Sequence, residues 1–224
     1  MRVLVVLIGL GVAQASVRAQ CTAVTSTQEM LRIRQDSKLY IARLEDPMRA
    51  SYQKPAEVVK ALEIKPGEVI ADIGSGSGYF TLPLARAVGG TGRVYGVDFS
   101  PDMIRHLNRR IRDQNVTNVV TVLCAADDPL LGGGSVDRFF ICDTWHQIEG
   151  RPRYLGLLKK MLRPGGEVIM VDWKKAKAPV GPPIELRVAR DDVVQEMGAN
   201  GFRLAAEHTF LEHQYFLVFK LKSD

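Results

Sequence analysis

The segment Val69-Ile-Ala-Asp72-Ile-Gly74-Ser75-Gly76-Ser77-Gly78-Tyr79 constrains the fold of this chain more than any other. An apolar run of strand type ends at Asp72, three glycines alternate, and a helical pattern follows. Glycine takes positive φ without strain and puts no Cβ between the backbone and a ligand. A turn of this kind therefore lets a nucleotide-like ligand approach the main chain. A dinucleotide fingerprint runs G-x-G-x-x-G/A. Counted from Gly74, its last position falls on Tyr79, and the observed pattern is D-x-G-x-G-x-G. Such a turn also occurs as an ordinary strand–helix connection, so the flanking chain has to decide.

Arg93-Val-Tyr-Gly-Val-Asp98 reads as a second strand ending in an acidic residue, twenty positions after Gly78. A carboxylate there offers two acceptor oxygens to the vicinal hydroxyls of a ribose. Phe99 follows as a flat surface for an adenine. Ser100 and Pro101 then open a helix as N-cap and first helical residue.

Strand and helix patterns alternate along the rest. Strands are expected at 69–73, 93–98, 119–124, 136–142 and 166–172, and helices at 78–88, 101–112, 151–162 and 190–199. A short helix is expected from Pro55 to Leu62, preceded by one or two helical segments within 22–50 and a turn at Pro47. Short connections between alternating elements imply a parallel sheet covered on both faces. Two last strands, near 202–208 and 213–221, are joined by about five residues. That spacing permits an antiparallel hairpin and excludes a helical crossover. The expected organisation is a signal peptide at 1–20, a helical lead-in at 21–54 and one α/β domain at 55–224, without internal repeats.

The chain of 224 residues is 46% hydrophobic and 25% charged, enough for one domain with a full core. Its net charge of +5 is spread out, the densest cluster being Lys174, Lys175 and Lys177. No basic tract with interleaved aromatics gives a specific nucleic-acid signal. Met1-Arg2, an apolar stretch from Val3 to Ala13 and small residues at Ala15 and Ala19 have the layout of an export signal. The apolar run is too short to span a bilayer comfortably. The expectation is a periplasmic protein, or a cytoplasmic one if the N-terminus is misassigned. Cys124 and Cys142 lie in apolar runs and read as buried small hydrophobes.

Four segments, in order, resemble class I S-adenosylmethionine (SAM)-dependent methyltransferases, in particular the small-molecule, quinone-methylating group. They are Asp72–Tyr79, Val94–Met103, Ser135–Glu149 and Leu162–Trp173, the last containing the Arg163-Pro-Gly165-Gly166 turn. The resemblance spans residues 55–221 and implies a doubly wound, mostly parallel, seven-stranded Rossmann-like sheet ending in an antiparallel hairpin. It implies SAM as cofactor and a small-molecule methyl acceptor. The cofactor site it implies is Asp72 near the methionyl amino group, Gly74, Ser75, Gly76, Gly78, Tyr79, Asp98, Phe99, Met103 and Asp143. Ala125 stands where relatives carry an acidic residue for the adenine amino group; Asp127 or a backbone amide could replace it.

Methyl transfer from a sulfonium needs an acceptor held in line and water kept out. A base is needed only if the acceptor keeps its proton at neutral pH. His146, just past the fourth strand, is the candidate base or orienting group, and Trp145 is either an acceptor wall or core. Arg187 or Arg190, in the long connection 174–190, could meet an anionic acceptor or simply sit in a solvated loop. No metal-ligand pattern is present. Two other functions compete: a non-catalytic SAM-binding sensor, and an NAD-dependent oxidoreductase, which Tyr79 and the terminal hairpin oppose.

Overall fold

Seven strands form one sheet in the order β3-β2-β1-β4-β5-β7-β6. They are β1 (Val69–Ile73), β2 (Arg93–Asp98), β3 (Val119–Leu123), β4 (Val136–Cys142), β5 (Leu162–Trp173), β6 (Phe202–His208) and β7 (Gln214–Leu221). Strands β1 to β5 are mutually parallel; β7 is antiparallel to both β5 and β6, so it alone runs against the rest. The computed structural model describes Val24 and residues 26–222. The expected signal peptide lies outside the described residues.

Four helices cover the sheet after the first strand: α5 (Thr81–Val88), α6 (Pro101–Asp113), α7 (Arg151–Met161) and α8 (Arg190–Ala199). Before it come α1 (Thr27–Gln35), α2 (Ser37–Leu44), α3 (Arg49–Gln53) and α4 (Pro55–Ala61). The central strands are apolar on both sides because both are covered. Their period of two sends Phe139, Ile141 and Met170 to Leu155, Leu158 and Met197 on one face. It sends Ile70, Phe140 and Ile169 to Val58, Leu84 and Val88 on the other.

Two boundaries differ from the sequence expectation by more than one residue. The helix expected from residue 78 begins at Thr81, because Gly78 sits at φ +83 and belongs to the turn. The Arg163-Pro-Gly-Gly segment is not a turn ahead of β5 but part of it. β5 starts at Leu162 opposite Val136, and the register then shifts to pair Glu167 with Arg138.

The chain builds β1, β2 and β3 outward, then returns to place β4 on the other side of β1. Ligands of such sheets bind beyond the strand carboxyl ends at this reversal. Helices α1–α3 lie over that end. Ser37 Oγ donates to Asp102 of α6. Glu45 takes an ion pair from Arg110 at 3.0 Å and lies 2.8 Å from Nε2 of His106. The lead-in seen in the sequence is thus a roof.

Candidate functional site

A cavity of about 590 Å³ opens beyond β1, β2 and β4, with the glycine turn as its floor and Tyr40, Leu44 and Arg49 in its roof. That is the size range of small-molecule and cofactor sites. Of the residues expected from the sequence, Asp72, Gly74, Ser75, Gly76, Tyr79, Asp98, Phe99, Met103, Asp127 and Asp143 all line it.

Gly78 is not among the lining residues. A Cβ there would meet Leu107 Cδ1 at 2.4 Å, so this glycine lets α6 pack close to the turn. Gly74 likewise makes room for Thr144 of the loop after β4, 2.3 Å from where its Cβ would be. Only Gly76 has a roof residue opposite, with Leu44 Cδ1 3.0 Å from the Cβ position.

Four amides of the turn are bonded to protein. Gly74 and Ser75 donate to the Val97 carbonyl, Gly78 donates to the Ser75 carbonyl, and Gly76 donates to Asp98 Oδ2 at 2.8 Å. A diphosphate would need such amides free. Asp98 Oδ1 takes the Ser100 amide at 2.9 Å. A carboxylate has about four lone-pair sites, so acceptor capacity remains for a ligand's donors. The Ser75 and Ser77 hydroxyl oxygens are buried without a hydrogen-bond partner.

The charge on the lining is acidic: Asp72, Asp98, Asp102, Asp127, Asp143 and Glu149 stand against Arg34 and Arg49. Burial pushes the Asp72 carboxyl up to about 7; the Thr81 hydroxyl opposes this from 2.5 Å, and the Asp98 charge adds to it. Burial also raises Asp98, against the amides of Ser100 and Gly76. Asp143 is raised by burial and held down by Arg49. A cationic ligand relieves all three carboxylates, whereas an anionic one would add to the repulsion.

Asp127 sits exposed at the rim in an ion pair with Arg153. Phe99 is 64% exposed, leaving its ring face available to a ligand. Cys142 is buried as expected, but Cys124 is only partly buried and lines the cavity. Trp145 is core: it is fully buried, with its indole N–H on Glu196. Arg187 is not among the residues lining the cavity. Its guanidinium is buried against Trp173 and donates to the carbonyls of Lys174, Ala176, Val180 and Pro182, which gives the 174–189 connection its shape. Arg190 pairs with Asp191 and Glu207.

His146 faces a smaller chamber of about 60 Å³ that shares Arg34, Tyr40, Leu44, Arg49, Asp143 and Gln147 with the main cavity. The roof residues of both spaces escaped the sequence reading. Their partners lie far away in the chain, and only a polar stretch with spaced apolar positions marks the segment.

Residues 70–166 match the family described as methyltransferase domain. A demethylmenaquinone methyltransferase of Geobacillus sp. (strain WCH70) is 27% identical over 125 residues, covering 52% of this chain and 50% of that protein. The chain spans about half the length of the curated relatives it matches. Among solved structures, a SAM-dependent methyltransferase from Aquifex aeolicus superposes with a TM-score of 0.79 at 24% identity, over 84% of this chain and 99% of the other. A cyclase, SpnF, shares the fold at a TM-score of 0.64 and 12% identity, over 79% of this chain and 83% of that one, so the fold alone does not set the reaction. The fold is that of SAM-dependent methyltransferases, and residues 70–166 carry the methyltransferase-domain match within it.

Proposed function

We propose that this protein transfers a methyl group from SAM to a small-molecule acceptor. The observation that carries the reading is the cavity's acidic lining above a turn that spends the amides of Gly74, Ser75, Gly76 and Gly78 on protein. Such a site suits a ligand with an ammonium, a sulfonium and a ribose, and rejects a dinucleotide diphosphate.

When bound, SAM supplies a methyl group already activated on sulfur. The chain's part is to bind, orient and exclude water. Asp98 would hold the ribose hydroxyls with its remaining acceptor capacity, and Asp72 the amino group. Phe99 and Met103 would flank the base, and Asp127 at the rim could reach its amino group. The roof formed by Tyr40, Leu44 and Arg49 would cover the reacting groups.

The acceptor class that the relatives support is a flat, quinone-like ring; the aromatic and apolar walls near His146 (Met30, Tyr52 and Trp173) fit it. The leader-like first twenty residues support export to a periplasm. Fractionation with N-terminal sequencing of the mature protein tests that assignment, and an intact N-terminus in the cytoplasm would refute it.

The cofactor is tested by calorimetric titration of the purified protein with S-adenosylhomocysteine, with NAD as control. Micromolar binding of the former alone is expected. Binding of NAD instead would overturn the reading, and incubation with labelled SAM and a panel of quinols then separates an enzyme from a binding protein.

A further inference from the structure

We propose that His146, Asp172 and Arg34 form a proton-handling group for the acceptor. In this scheme a phenolic or enolic hydroxyl gives its proton to Nε2 of His146 and leaves its oxyanion against the Arg34 guanidinium. The inference rests on the methyl-transfer reading and assigns how the acceptor is made nucleophilic.

The His146 ring is nearly buried, with Nδ1 at 2.9 and 3.1 Å from the two oxygens of Asp172. Asp172 is itself 1% exposed. It also receives the backbone N–H groups of Trp173 at 2.7 Å and His146 at 3.2 Å. Every neighbour donates, so the carboxylate accepts from the ring as well, and Nδ1 carries the hydrogen. Nε2 is then the acceptor of the ring. Nη2 of Arg34, which can only donate, stands 3.5 Å from it. Two independent contacts thus agree on the tautomer that a base requires.

Arg34 supplies the second half. Its Nε is buried and has no hydrogen-bond partner. An unmet donor and an acceptor held only by a long 3.5 Å contact therefore belong to residues that line one chamber, which is what a hydroxyl on its way to an oxyanion would satisfy. The chamber, at about 60 Å³, has roughly the room of a few waters, enough for the hydroxyl-bearing edge of a ring. Its apolar wall includes Tyr52 and Trp173, whose ring centroids lie 5.5 Å apart. The rest of the acceptor extends into the main cavity through the lining that the two spaces share.

The balance is simple. The acceptor's O–H bond breaks, a bond forms between that proton and Nε2, and the electron pair stays on oxygen or spreads into the conjugated ring. Each ion formed has its partner in place: imidazolium on Asp172, oxyanion on Arg34. A phenol with a pKa of about 10 keeps its proton at neutral pH, so without this step it is a poor nucleophile. Asp172 is a positioning residue that acts through His146.

The test uses 4-nitrophenol, whose ionisation is read as visible absorbance, added to the protein saturated with S-adenosylhomocysteine. The pH is set so that free 4-nitrophenol is mostly protonated. Wild type is expected to bind it as phenolate. His146→Asn keeps a donor toward Asp172 and should bind the neutral phenol. Asp172→Asn should also lose the ionisation, and Arg34→Met should weaken binding at least tenfold. Unchanged S-adenosylhomocysteine affinity in these variants shows that the fold is kept. A neutral bound phenol in wild type, equal ionisation in His146→Asn, or cofactor binding without phenol binding would each overturn the proposal. Failure to bind S-adenosylhomocysteine would remove the methyl-transfer reading and this inference with it.

Discussion

Arg49 and Asp143, 94 positions apart in the chain, meet at 3.5 Å where helix α3 crosses the end of β4. The same carboxylate takes Gln53 at 2.9 Å and Gln214 at 2.5 Å, while Asp143 holds a backbone φ of +53. A non-glycine residue in that region costs about 1–3 kcal/mol and persists only where its surroundings impose it. Here the three donors do so. They also clip the roof to the sheet, and the Arg49 guanidinium stacks over the Tyr79 ring at 4.1 Å.

Replacing Asp143 with Ala should therefore loosen the roof before the sheet. Leaving the Arg49 charge partly buried and unpaired costs about 2–4 kcal/mol. The expected outcome is a lower urea midpoint and early proteolysis within residues 27–53, with a trimmed sheet domain surviving. Simultaneous digestion of roof and sheet would show that the clip is not local.

Asp98→Ala should lower S-adenosylhomocysteine affinity by about 10- to 100-fold, since each hydrogen bond to a charged group contributes about 1.5–3 kcal/mol. Some stability is lost as well, because the Gly76 and Ser100 amides lose their acceptor. Calorimetry on the folded variant decides; an unchanged dissociation constant would exclude Asp98 as the ribose ligand.

Asp72 makes binding and stability depend on pH in opposite senses. Its folded carboxyl titrates near 7, above the ordinary value of 3.8, mainly through burial. The folded state thus holds this proton more tightly than the unfolded chain. The contribution is full below about pH 4 and is lost as pH rises through 7. Asp72→Asn should stabilise the protein at pH 8 by about 2–4 kcal/mol, with a smaller gain at pH 5. The ionised carboxylate is the form that holds an ammonium, so wild-type affinity for S-adenosylhomocysteine should rise from pH 6 to 8. In the variant it should be weak and flat. Melting temperatures and titrations at the two pH values check both halves.

The glycines of the turn should differ in cost. Gly74→Ala sets a methyl group against Thr144, which is itself bonded to the Cys142 carbonyl, and requires a left-handed residue at φ +70. A loss of about 2–5 kcal/mol is expected. Gly76→Ala meets only the flexible end of Leu44 and should cost about 1–2 kcal/mol. Gly76→Val should fill the space under Leu44 and reduce cofactor affinity. Denaturant midpoints that reverse the order of the two alanine variants would refute this packing.

The parts of the molecule that were legible in the sequence are those written locally. Strands β1, β2 and β4 are apolar runs bounded by turns, and their bounds were read correctly from the sequence. Asp98 was legible because a strand end at a fixed distance from the glycine turn has one place to go. The glycines were seen but only partly understood, since Gly74 and Gly78 serve contacts with Thr144 and Leu107 that no local pattern announces. The bulge that draws Arg163-Pro-Gly-Gly into β5 depends on the register with β4. Arg187 leaves two readings open in the sequence, an acceptor contact or a solvated loop, because a lone arginine in a long loop does not reveal that it will bind four carbonyls of that loop. The roof was least legible of all. Arg34 reaches His146 across 112 positions, and nothing near either residue encodes the meeting.

The segment shared with the methyltransferase-domain family ends at residue 166 and begins at residue 70, so it contains the floor of the cavity and none of its ceiling. Arg34, Tyr40, Leu44 and Arg49 lie before it, and Asp172 and Trp173 after it. On the proposed reading, that portion binds the methyl donor and the flanks select what receives the methyl group. Exchanging residues 27–53 between this chain and a relative should transplant acceptor preference and leave donor affinity behind.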